Sequence, residues 1–291
     1  MHLAAQMYPV THHYMFDALA INPAYAGCNN ALSVAILYRN QWIGISAAPK
    51  SQMLSVHVPV NNDKVGLGLL VENNNIGIFS ETSVMGNYAY RMELGNGKMA
   101  LGLGFGATLH NIAWNELKAS DPNDVQLMNN PESAILPSFS FGSYYYGKKY
   151  FIGLSLPLFL SHELDQSSGK YKISNKFSAY NIFLSGGYEF VIDRNLKLLP
   201  SVLAKFNQED GIRIDYNALL NLKERLWMGV GYRNRNMMAG MLQCQLTYQI
   251  KLGYSYDFEL GTLRKYTNGS HEIVLNYVFR YTRKVVGPRQ F

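Results

Sequence analysis

The chain has little charge, little cysteine and no long hydrophobic run. Charged residues make up only 16% of its 291 positions, against roughly 25% in an average soluble domain. No stretch approaches the ~20 consecutive apolar residues that a membrane-spanning helix requires, which excludes a helical membrane protein. The two cysteines, Cys28 and Cys244, lie far apart and form no metal-ligand spacing. They read as buried or lipid-facing free thiols, with a disulfide between them as the alternative, and neither a metal nor a cofactor is expected. The net charge of +6 is scattered along the chain. Its densest group, "RYTRKVVGPR", reads as a positively charged tail, and without a basic stripe or a recognisable module nucleic-acid binding is set aside. The opening "MHLAAQ" is too short for a signal peptide. Its "LAAQ" resembles the small-residue end of one, with cleavage before Gln6, so the missing export signal does not argue for the cytoplasm.

What is present in excess is tyrosine, at 21, and glycine, at 25. From Ala31 onward, apolar and polar residues alternate with period 2, broken by turn residues. In "ALSVAILYRNQW", Leu32, Val34, Ile36 and Tyr38 share one face, and Ser33, Ala35, Arg39 and Gln41 the other. In "MALGLGFGATLH", Leu101, Leu103 and Phe105 oppose Gly102, Gly104 and Gly106. Carried through the chain, the pattern predicts about fourteen antiparallel strands, near 31–42, 51–60, 64–73, 80–92, 98–111, 134–147, 149–160, 176–192, 195–206, 210–222, 225–235, 237–249, 251–260 and 270–282. Many reach about 10 residues, enough to cross a bilayer at the usual tilt.

The connections alternate in length. "NNDK", "LGNGK", "GKK", "DRN" and "KE" are tight, and longer loops fall between them, notably 114–131, 161–175 and 261–268. Outer-membrane barrels show this asymmetry, with short periplasmic turns and longer external loops. An even strand number then places both termini in the periplasm. Tyr88, Tyr90, Tyr188, Phe190, Phe279 and Tyr281 lie on the apolar face near periplasmic strand ends, as an interfacial girdle requires. The fold class expected is all-β: a transmembrane outer-membrane barrel in contact with lipid, with an N-terminal periplasmic-side segment. A soluble sandwich with an aromatic core is the alternative.

No catalytic constellation emerges. "SHEL" at Ser161–Leu164 and "SHEI" at Ser270–Ile273 each set a histidine between a hydroxyl and a carboxylate. Neighbours on a strand point to opposite faces, so neither can close locally into a triad. His12 and His13 lack a third ligand nearby. "GLGFG" and "GLGLL" lack the helix, Lys and Ser/Thr of a phosphate loop. On an inward barrel face such glycines make room for something packed inside. The inward residues Arg39, Gln41, Glu81, Lys205, Arg213, Asp215, Arg233, Lys251, Asp257, Glu272 and Arg280 mix both signs. A mixed lumen can pair internally or cradle a plug, whereas a selective pore tends to present rings of one sign.

Three motifs carry a family resemblance: "YMFDALAINPAYAG" before the first strand, "YRNQW" at Tyr38–Trp42, and "GSHEIVLNY" at Gly269–Tyr277. Together they resemble the PorP/SprF family of type IX secretion system outer-membrane proteins, over essentially the whole chain. The resemblance implies a barrel without enzymatic activity that serves secretion and gliding. Its implied partners are the C-terminal region of a secreted surface adhesin, or periplasmic ring lipoproteins. A porin-like or hydrophobic-solute transport barrel is the rival function, and an outer-membrane lipid hydrolase a third.

The segment preceding the first strand can be rationalised physically. Asn22-Pro23 forces a non-helical turn, while Ala24, Ala26 and Gly27 are small enough for close packing. With Met15, Phe16, Leu19 and Ile21 the segment is apolar enough to tuck into the periplasmic mouth over inward glycines. The expected partner-binding or plug residues are Phe16, Leu19, Ile21, Asn22, Pro23, Tyr25 and Gly27. Arg39, Gln41 and Glu272 are expected as a barrel-interior network, with Arg39 and Gln41 farther up the first strand and away from direct contact with the segment. The organisation expected is 1–29 as the N-terminal segment, 30–283 as the barrel and 284–291 as a periplasmic tail.

Overall fold

Alternation of this kind leaves each strand with one face for lipid and one for an interior, and a sheet with two such faces must close on itself. In the computed structural model it does. The structure describes residues 11–60, 63–113, 133–165, 170–208, 211–234 and 237–279. The strands are β1 (Leu32–Asn40), β2 (Lys50–Val60), β3 (Val65–Ile76), β4 (Phe79–Leu94), β5 (Gly97–Ile112), β6 (Ala134–Tyr146), β7 (Tyr150–Phe159), β8 (Ser161–Asp165), β9 (Lys170–Ser174), β10 (Ile182–Tyr188), β11 (Phe190–Asp193), β12 (Leu196–Asn207), β13 (Gly211–Leu222), β14 (Leu226–Arg233), β15 (Met237–Gln245), β16 (Ile250–Glu259) and β17 (Ser270–Phe279). All pair antiparallel with their neighbours. β1 pairs with β17, and β10 joins β7 to β12, so the ring closes. β10 and β11 are one wall strand interrupted at Glu189, and the barrel therefore has fourteen strands. Closure pairs the wall strands on both sides around the ring, which is what a lipid environment demands.

Several boundaries differ from the sequence reading. β1 stops at Asn40, because Trp42 takes a left-handed conformation at φ +50° and starts the loop 41–49. The strand predicted over 176–192 opens instead with a 3-10 turn at Phe177–Ala179. The segment 161–174, read as loop, contains the β8–β9 hairpin, which pairs only with itself. Loop length also alternates less regularly than expected. The connections at 77–78, 208–210 and 234–236 are as short as those at the opposite rim. The loop 114–131, the tail 284–291, Arg280, Tyr281 and the cleavage position at Gln6 lie outside the described residues.

The two faces separate cleanly. On β1, Ser33, Ala35, Leu37 and Arg39 are buried while Ile36 and Tyr38 are exposed, and on β5 Ala100 is buried beside the outward Leu101, Leu103 and Phe105. The outward side chains form a continuous apolar belt and the inward ones a largely polar lumen. Leu103→Arg is expected to cost roughly 2–4 kcal/mol, the price of a cation near the bilayer midplane. The shift is to be read from urea titration of the barrel refolded into vesicles. A loss no larger than that of an inward Thr108→Ser change would argue against a lipid-facing Leu103.

Candidate functional site: the segment inside the lumen

Residues 11–30 sit inside the barrel, and their backbone explains why the sequence there is neither good helix nor good strand. They form three short 3-10 turns, at His12–Met15, Ala18–Ala20 and Pro23–Tyr25. Two are capped by side chains: Asp17 accepts from the Leu19 N–H and Asn22 from the Ala24 N–H, each at 3.0 Å. Short Asp and Asn side chains stabilise such turns by this local bond. Single turns leave most backbone groups unpaired, and a buried segment must find them partners. The wall supplies these. Ser155 Oγ donates to the Ile21 carbonyl at 2.5 Å, His57 Nδ1 accepts from the Gly27 N–H at 3.1 Å, and Arg91 donates to the Gly27 carbonyl. Glu272 accepts from the backbone N–H groups of His12 and His13, at 3.2 and 2.9 Å.

These contacts give the segment a direction. The rim where β1 begins and β17 ends is taken as proximal, and the other as distal. His12 and His13 meet Glu272 two residues into β17, near the distal rim. Gly27 meets Arg91 and, through Arg91, the Val65 carbonyl at the proximal rim. The chain thus runs most of the height of the lumen before turning into β1.

Inward glycines make this possible. A Cβ on Gly102 would overlap the Ala24 backbone nitrogen, one on Gly66 the Ala26 carbonyl, and one on Gly142 the Asn22 side chain. Asn22 also donates to the Ser143 carbonyl at 2.9 Å. Apolar contacts complete the seat. Tyr14 and Ile21 pack on Phe183 and Leu203, Leu19 and Ala26 on Ala89, and Ala24 on Ala100 and Tyr144. The Tyr25 ring meets His57 and Tyr144 edge-on. Burial lowers the His13 pKa, outweighing the nearby carboxylates of Asp17 and Glu272, and pushes the Cys28 thiol up to about 11. Cys28 and Cys244 are both free thiols.

Of the residues singled out from sequence, Leu19, Ile21, Asn22, Pro23 and Gly27 are buried against the wall and Tyr25 is half-buried. Phe16 instead borders a cavity of about 220 Å³, with Met15 and Asp17 on its side and Trp227, Gln243 and Lys251 opposite. The middle of the segment therefore packs along β3–β7 and reaches β10 and β12 through Tyr14 and Ile21, while a cavity remains on the Phe16 side against β12–β17 and β1. Arg39 lies across the ladder from Glu272 and pairs with it at 3.1 Å, and it also pairs with Asp257. His12 Nε2 stands 2.8 Å from Asp257. Arg39 and Glu272 are thus one cluster with the segment itself, rather than a separate network above it. Gln41 lies beyond the end of β1, half-buried in the rim loop, with its N–H on the Pro49 carbonyl at 2.9 Å.

Sequence reasoning misses Asp17, His57 and Arg91. The latter two are legible as inward, since they alternate with outward Val and Tyr neighbours. A second cluster lies on the adjoining wall, where Asp215 holds Lys205 at 2.9 Å and Arg233 at 2.8 Å. The serine–histidine–glutamate motif of β17 splits across the wall. Ser270 and Glu272 point inward, whereas His271 lies outside against Tyr254, 2.6 Å from its hydroxyl.

A closed antiparallel barrel with an apolar belt and a polar, charge-paired lumen is an outer-membrane β-barrel protein. The family described as Type IX secretion system membrane protein PorP/SprF matches residues 3–277, and the chain belongs to that family. It is a non-catalytic component associated with that secretion system. Among solved structures, the outer membrane protein Omp33 of Acinetobacter baumannii aligns with a TM-score of 0.51 at 9% identity, covering 87% of this chain and 98% of that one. The CymD monoaromatic hydrocarbon channel aligns at 0.49 and 9% identity, covering 96% of each chain. At 9% identity the Omp33 likeness is one of fold alone. Comparison with curated protein sequences gives no significant match.

Proposed function

We infer that this protein is a plugged docking barrel of the type IX machinery. It holds a partner at its rims instead of passing solute through its lumen. The partner is the C-terminal region of a secreted surface adhesin or a periplasmic ring lipoprotein, in a system serving secretion and gliding. Both termini, and the proximal rim, face the periplasm. The observation that carries this reading is the seating of residues 11–30, whose backbone is bonded to the wall from Glu272 to Arg91. Wall side chains that bond the segment's backbone at both ends of the lumen favour an occupied barrel over an open channel.

The test is affinity recovery of the intact barrel from outer membranes after cross-linking, with mass spectrometry of what accompanies it. Planar-bilayer recording of the same preparation runs alongside. Adhesin C-terminal segments or ring lipoproteins together with a silent bilayer are expected. Steady conductance without either partner would select the rival reading, a transport barrel using the space along β12–β17.

A further inference from the structure

At the proximal rim the β11–β12 hairpin runs on past the strand beside it. β7 starts at Tyr150, paired with Tyr188, and the Glu189 N–H still reaches the Lys149 carbonyl at 2.6 Å. The chain on that side then turns back through 147–149, whereas β11 continues to Asp193 with β12 as its only ladder partner. In an antiparallel ladder successive residues aim their main-chain groups at opposite neighbours. Glu189 aims at the β7 side, so Val191 aims its N–H and carbonyl the same way, past the β6–β7 turn, where no described strand pairs with it. Pro200 marks where the hairpin parts from the wall. The register Gly187↔Ser201 and Phe190↔Leu198 sets it opposite Tyr188, and proline has no N–H to give a ladder.

All four β11 residues are exposed, and Phe190, Val191 and Ile192 are apolar. Interfacial lipid accounts for Phe190 and Ile192, which share the outward phase of Tyr188. It does not account for Val191, which has the phase of the inward Ser185 and is still 49% exposed. Nor does it account for unpaired main-chain groups, which hydrocarbon penalises. Proteins pair, cover or charge such an edge. Lys148 and Lys149 of the β6–β7 turn stand exposed beside it, with Arg194 at the hairpin tip. The neighbouring acids are engaged: Glu189 by Lys197 at 3.5 Å, and Asp193 by the Arg194 N–H at 2.5 Å.

We propose that the β11 edge is a strand-addition site for a short extended segment of a periplasmic protein, one that alternates apolar and acidic residues. Its backbone bonds Val191, an apolar side chain covers the Val191 side chain, and an acidic one meets Lys148 and Lys149. Main-chain bonds give such a site its affinity and the flanking side chains its selectivity. The chain's own stretch 280–291 carries Arg280, Arg283, Lys284 and Arg289 and no acid, the wrong charge for this seat. The proposal rests on the docking reading above and assigns that docking to the proximal rim.

The experiment uses the full chain in its own outer membrane, with p-benzoylphenylalanine replacing Ile192 or, as the distal control, the exposed Tyr266. Mass spectrometry maps each cross-linked peptide. The Ile192 position should capture a periplasmic protein through an extended acidic segment, and the Tyr266 position should not. Combined with the Ile192 cross-linker, Val191→Pro removes the edge N–H and turns its ring toward the incoming strand while leaving the Phe190↔Leu198 pairing. Capture should fall roughly tenfold, whereas Val191→Thr should match the parent. Lys148→Glu together with Lys149→Glu should lower capture about as much. Heat modifiability on gels should be unchanged throughout. If Val191→Pro loses it, the lysine pair decides the test. Undiminished capture in Val191→Pro and in the lysine pair would overturn the edge site and leave the docking reading standing. Capture of a second copy of this chain or of 280–291 would overturn it too, and capture of no protein at either rim would remove both readings.

Discussion

Deletion of residues 15–27 is expected to convert a silent barrel into a conducting one, with discrete openings in planar bilayers where the parent chain shows a flat baseline. The barrel ladder runs from Leu32 to Phe279 and does not use the deleted residues, so insertion should survive. What disappears is the occupant of the lumen along β3–β7. The inward glycines that admitted it then line open space. A point substitution makes the same test without shortening the chain. At Gly102 a new side chain meets backbone atoms of Ala24 and Pro23, which cannot rotate away. Gly102→Val should therefore displace the segment and produce openings, together with a lower melting temperature. A Cβ at Gly240 would have nothing within 4 Å, and Gly240→Val should behave as the parent. If the deletion and Gly102→Val both remained silent and as heat-stable as the parent, the segment would be a passive arm and the docking reading would lose its support.

The largest expected loss of stability follows Arg39→Met. Arg39 neutralises Asp257 and Glu272, and all three are almost fully buried. Removing one partner of a buried ion cluster leaves uncompensated charge and typically costs about 3–5 kcal/mol. Here the loss also loosens the distal end of the segment, because Glu272 bonds the His12 and His13 amides. Arg39→Met should thus lower the urea midpoint and raise proteolysis near residue 11. Glu272→Gln should act in the same direction but less, since one amide oxygen still accepts while the NH₂ faces a donor. The exposed rim cluster of Lys197 with Glu189 and Glu224 is the contrast. Surface pairs contribute at most about 1 kcal/mol, and Lys197→Ala should shift the midpoint little. Equal effects at Arg39 and Lys197 would mean that the lumen cluster is solvated.

The sequence alone determined the barrel, its two faces and nearly all its strands, because period-2 alternation is local and each strand carries its own copy. It also marked where a lumen occupant fits, since the inward phase of Gly66 and Gly102 follows from the same alternation. Tertiary structure decided how deep the occupant goes and what holds it. The bond between His12 and Glu272 joins residues 260 positions apart, and nothing local in either stretch records the other. The same limit hid the contact between His110 of β5 and His162 of the β8–β9 hairpin, whose ring nitrogens lie 2.8 Å apart. Each histidine was readable as a strand or loop residue, but their meeting depends on how the hairpin folds over the rim. Strand ends were decided late for a related reason. Gln41 continues the alternation of β1, yet the left-handed Trp42 and the Ile43 amide bonded to the Gly269 carbonyl at 2.8 Å take the chain into the rim loop. Periodicity is set by neighbours in sequence, whereas partners across the lumen are set only once the ring has closed.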